Sequence, residues 1–84
     1  MTITFSKNVN SVDTGIFGKK NFSVEVRLKF QKDKWQVICT YVYIVHNDGK
    51  QSPVHDSMYT REWLTGVVNE MIEESKTIKD WTFQ

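Results

Sequence analysis

The chain has 84 residues, 39% of them hydrophobic, and 11 Lys/Arg against 10 Asp/Glu for a net charge of +1. That length allows one domain, residues 1–84, and excludes a large core, because so short a chain removes only about 60–65% of its unfolded surface from water. Cys39 is the single cysteine, which excludes an internal disulfide and leads us to expect a packed thiol in a reducing cytoplasm.

No window reaches the length of a membrane span, and the first residues lack the charged start and apolar run of a signal peptide, so a cytoplasmic protein off the membrane is expected. The near-neutral total hides an asymmetry. Residues 1–36 hold seven Lys/Arg and three Asp/Glu, whereas residues 37–84 hold four and seven. A dedicated nucleic-acid binder is more often basic throughout.

Thr2 to Ser6 alternates, with Ile3 and Phe5 on one face, and reads as a short edge strand. Lys7 to Asn21 is broken by Asn8, Asn10, Asp13, Gly15 and Gly18, and is expected to be a long loop. Inside it, Gly15-Ile16-Phe17-Gly18-Lys19-Lys20 sets two bulky apolar residues between glycines, with two lysines behind. The plain expectation is that Ile16 and Phe17 tuck back over the sheet edge. The alternative is an exposed finger for a protein partner, with Ile16, Phe17, Lys19 and Lys20 as its binding residues.

Phe22 to Gln31 alternates without a break, Phe22, Val24, Val26, Leu28 and Phe30 pointing one way. Lys32-Asp33 makes a tight turn, and Val37 to Val45 is an uncharged run rich in β-branched and aromatic residues, suited to a central strand. The simplest register pairs Phe30 with Trp35, Leu28 with Val37, Val26 with Cys39, Val24 with Tyr41 and Phe22 with Tyr43, all on one face. Ile38, Val42 and Ile44 then share the other face, a candidate surface for self-association.

Asn47-Asp48-Gly49-Lys50 is a hairpin turn, and Pro53 makes the return strand an edge or irregular one. Thr60 is a natural N-cap, with Tyr59 able to staple onto Leu64. Trp63, Leu64, Val67, Val68, Met71 and Ile72 form an apolar stripe at helical spacing, so a helix over about residues 61–75 should cover the sheet. Gly66 interrupts it, and a close helix–sheet approach is the expected reason. Trp81 and Phe83 alternate and add a last short strand. The fold expected is α+β: an antiparallel sheet of three to five strands with one C-terminal helix packed on one face.

Few residues are arranged for chemistry. Cys39 would need exposure and a nearby base to act as a nucleophile. His46, Asp48, His55 and Asp56 lack metal-ligand spacing, and Glu73 and Glu74 diverge on a helix. No enzyme, metal or cofactor is expected. Arg27, Lys29, Lys32 and Lys34, with Lys19 and Lys20, form the one basic region. Such a region either tracks a phosphate backbone beside stacking aromatics or simply solvates a hairpin and protects its edge.

Val24-Glu-Val-Arg27, Asp48-Gly49-Lys50 and Thr60-Arg-Glu-Trp63-Leu64 lie in the order strand, tight turn, long strand, Asp-Gly turn, short strand and helix. From about Lys19 to Ile72 this order is similar to that of the PC4-like transcription coactivators. The resemblance implies a dimeric single-strand DNA binder.

Three functional readings follow. The leading expectation is a small non-catalytic binding protein that docks on a larger protein as a regulator or inhibitor, in the style of phage proteins that block a host defence. The alternatives are a single-stranded nucleic-acid binder using the basic hairpin, and a homodimeric structural subunit.

Overall fold

Two long strands joined at Lys32-Asp33 form the spine of the computed structural model, which describes residues 1–54 and 56–84, with the backbone alone at Asp56. They are β2 (Lys19–Gln31) and β3 (Lys34–Val45). Lys32 and Asp33 both take positive φ, 55° and 63°. This is the two-residue turn whose twist matches the twist of the flanking strands. The first strand, β1 (Thr2–Asp13), pairs antiparallel with β2. The short β4 (Gln51–Pro53) pairs with the end of β3, and β5 (Trp81–Phe83) lies parallel to its beginning. The sheet order is β1-β2-β3-β4, with β5 also on β3.

The expected loop from Lys7 to Asn21 is mostly strand. Val9 aligns with Phe22, and Lys7 with Val24. Pairing with β2 overrides the local turn preference of Asn8 and Asn10, because polar side chains are harmless on the face that meets water. The irregular residues are absorbed by a bulge between Val9 and Val12, where Ser11 takes a φ of 57°.

The β2–β3 register is corrected in its second half. Phe30–Trp35 and Leu28–Val37 pair as expected, but a bulge follows and Arg27 then meets Cys39, Val26 meets Thr40, Val24 meets Val42 and Phe22 meets Ile44. Val26 and Cys39 therefore lie on opposite faces. The extra residue is Ile38. It sends Thr40, Val42 and Ile44 under the helix, and Cys39, Tyr41 and Tyr43 to the other side. The physical reason is fit. Branched aliphatic side chains fill the space beside Phe22, whereas tyrosine hydroxyls placed there would need partners away from water.

The helix α1 (Arg61–Ser75) has the expected bounds. Thr60 Oγ1 accepts the Trp63 N–H at 3.0 Å, satisfying one orphan donor of the first turn. Tyr59 packs its ring 5.8 Å from that of Trp63, which in turn meets Phe22 edge-on at 5.6 Å. Val67, Val68, Met71 and Ile72 are buried against Phe22, Val24, Val26, Leu28, Val37 and Val42. Ile78 is buried too and anchors the segment leading into β5. A Cβ at Gly66 would meet nothing within 4 Å, so close approach to the sheet is not why glycine stands there. Lys7 reaches from β1 to Glu70 at 3.2 Å and Glu74 at 3.0 Å on α1. Among the described residues, no helix is long and apolar enough to cross a membrane.

Candidate functional site

The β1–β2 connection is built as a braced tip. Asp13 Oδ1 accepts the Gly15 N–H at 2.9 Å, which starts the turn. One 3-10 turn, Gly15–Phe17, follows. It is closed by Gly18 N–H to Gly15 C=O at 3.0 Å and by Thr14 N–H to Gly18 C=O at 3.0 Å. The Thr14 hydroxyl donates to the same Gly18 carbonyl at 2.6 Å. Gly15 (φ 76°) and Gly18 (φ 74°, ψ −163°) occupy backbone regions that side chains resist. Below the turn, Asn21 Oδ1 accepts the Ser11 N–H at 2.9 Å and ties the two strands together.

What this frame holds up is apolar. Ile16 is 94% exposed, and Phe17 42%. The expectation that both tuck over the sheet edge is overturned for Ile16, which the 3-10 turn aims away from the sheet. Phe17 leans partly back and lines a groove of about 490 Å³ with Ile44, His46 and Met58. Lys19 and Lys20 line the same groove and are exposed. The candidate set Ile16, Phe17, Lys19 and Lys20 is therefore one patch at one end of the molecule.

The other basic residues are elsewhere. At about 3.3 Å per residue along β2, Lys29 lies roughly 30 Å from Lys19. Lys32 sits in the turn at that far end. Arg27, Lys29 and Lys34 fall on the face opposite α1, by their pairing with Cys39, Gln36 and Gln31. The single basic region read from the sequence is thus two regions.

Residues that the sequence register had placed in the core join the second group. The Arg27 guanidinium carbon lies 6.0 Å from the centre of the Tyr41 ring, within reach of a cation–π contact. Tyr41 and Tyr43 stack with ring centres 6.4 Å apart and 26° between planes, and Tyr41 is 41% exposed. The Cys39 thiol beside the Tyr41 hydroxyl raises the pKa of the phenol, and the Arg27 charge opposes it. Only the position of the bulge puts these rings here, and no local signal in the uninterrupted apolar run reveals it.

Ile38, Val42 and Ile44 do not form a shared second face. Val42 is buried beneath α1, Ile44 packs partly buried against the same core, and Ile38 is the bulge residue. His46 Nε2 is 3.0 Å from Ser52 Oγ, while His55 lies outside the described residues. No protein-family model matches the chain, and neither a curated protein nor a solved structure matches it significantly.

Proposed function

We propose that this is a non-catalytic binding protein that docks on a larger protein through the Ile16–Phe17 tip and acts as a regulator or inhibitor. The observation that carries this reading is an isoleucine 94% exposed on a turn braced by side-chain and backbone hydrogen bonds. A floppy loop would lose much of its contact energy to ordering on binding, whereas a preformed tip does not. Burying Ile16 in a partner removes its apolar surface from water, a gain of about 1.5–3 kcal/mol. Lys19 and Lys20 flank the tip, so the matching surface is an apolar pocket with an acidic rim.

The test is capture from a source lysate with the wild-type chain and with Ile16→Asp as parallel baits. A stoichiometric protein retained by the first and lost by the second supports the reading. The same protein on both baits, or nucleic acid alone on the wild type, contradicts it.

A second reading is favoured by the Arg27–Tyr41–Tyr43 arrangement. Two stacked rings with Arg27 beside them, and Lys29 and Lys34 further along the same face, suit bases stacked along a single-stranded backbone. It predicts oligonucleotide binding that weakens steeply with salt and is abolished when Arg27, Lys29 and Lys34 are changed together to Glu. Absence of binding at low salt, measured by fluorescence anisotropy, eliminates it.

A further inference from the structure

β2 pairs one side of β1, and among the described residues no strand pairs the other. The bond from Phe30 N–H to Met1 C=O, 2.9 Å long, fixes which residues face which way. It makes Thr2–Lys29 a pair without mutual hydrogen bonds, so by antiparallel alternation Ile3, Phe5, Lys7 and Val9 bond to β2. The N–H and C=O of Thr2, Thr4, Ser6 and Asn8 point outward along the free edge.

Sheet edges are normally blunted by proline, by projecting charge or by a bulge. From Thr2 to Val9 there is no proline, and the bulge comes only after Val9. The one charge, Lys7, is turned onto Glu70 and Glu74. On the helix side, Phe5 is half-buried and lines an open cavity of about 280 Å³ with Met71, Glu74 and Ser75.

We infer that this edge joins two copies of the chain, β1 pairing antiparallel with β1 of a second copy about a twofold axis through Phe5. A second copy suits this edge because it offers Phe5 an apolar mate beside the cavity that Phe5 lines and sets no like charges against one another. About that axis Thr2 meets Asn8 and Thr4 meets Ser6, so every outward-bonding residue finds another. Each such pair exchanges two bonds, giving about eight backbone hydrogen bonds across the seam. Phe5 meets Phe5 of the second copy, and the two rings close the cavities above them. Ile3 meets Lys7, so no like charges are opposed. Moving the axis to Ser6 sets Thr2 against Asn10, within the bulge, and loses part of the ladder. The two sheets become one, and both Ile16 tips remain free at opposite ends, so this inference stands independently of the docking reading.

Sedimentation equilibrium tests it on the intact chain. The wild type is expected at twice the mass of one chain. Thr4→Pro removes an outward N–H while leaving the β1–β2 ladder intact, and is expected at the mass of one chain with an unchanged circular dichroism spectrum. A wild type that stays monomeric at the highest concentration reached, or a Thr4→Pro dimer, overturns the inference. A second measurement does not depend on proline being tolerated. Phe5→Cys in a Cys39→Ser chain, treated with diamide, is expected to cross-link into covalent dimers, and Ile3→Cys in the same background is not. A Phe5→Cys chain that fails to cross-link overturns the seam.

Discussion

Tyr41 shows how one side chain's surroundings follow from a displacement of one residue in the strand pairing. The bulge at Ile38 takes its hydroxyl out of the core and sets it beside Cys39 and Arg27. The thiol raises the phenol's pKa more than the guanidinium lowers it. A raised folded-state pKa means the native protein holds the proton more tightly than the unfolded chain. That contribution to stability is complete below the ordinary phenol value and is lost as pH rises through the folded one. The hydrogen bond to Glu74 raises Lys7 in the same direction, with burial opposing, so melting curves alone would mix the two. Phenolate absorbance separates them. In an alkaline titration, Cys39→Ala is expected to bring Tyr41 to ionisation at lower pH than in the wild type. An unchanged titration would mean that the thiol does not face the hydroxyl.

At the scale of elements, the helix and the first half of the β2–β3 hairpin were legible from residue order because each has one dominant period. Trp63, Leu64, Val67, Val68, Met71 and Ile72 repeat at helical spacing, and Phe22 to Phe30 at spacing two. The second half of β3 was not legible. Val37 to Val45 is apolar or aromatic on both faces, so the pattern permits either register and a single inserted residue decides between them. The extent of β1 was hidden differently. Asn8, Asn10 and Asp13 signal turns locally, but their strand is imposed by pairing with β2. The tip was legible as a place, from its glycines and lysines, but not in the direction of Ile16. Gly66 gives a prediction at this scale. It lies mid-helix, exposed and with open space where a Cβ would go. Gly66→Ala is therefore expected to stabilise the fold by about 1 kcal/mol in a urea melt. Destabilisation would show that the position tolerates no side chain after all.

The whole molecule is elongated, 42 × 24 × 20 Å, with the Ile16 tip at one end of the long β1–β2 hairpin and the Lys32-Asp33 turn at the far end of β2. Its surfaces differ in character. One face carries α1, with Glu62, Glu70, Glu73 and Glu74 on it. The other is open and carries Arg27, Lys29, Tyr41 and Tyr43, while the free β1 edge runs along one side. The charge asymmetry of the sequence is thus an asymmetry between the helix and the sheet, bridged by Lys7 to Glu70 and Glu74. From β2 to α1 the elements follow in the order long strand, long strand, short strand and helix, preceded by the long β1 and followed by β5. Docking through the tip, as proposed, would leave both the open face and the β1 edge available for other contacts.

The most direct measurement is the affinity of the captured partner for wild-type chain and for Ile16→Asp, with the thermal melt of each recorded alongside. Exposed Ile16 contributes little to the fold, so the melts should coincide to within about 0.5 kcal/mol. The affinity should fall by at least about 30-fold, as for an interface residue worth about 2 kcal/mol or more. Equal affinities with coincident melts would mean that the partner is held elsewhere, and that the tip is not the docking surface.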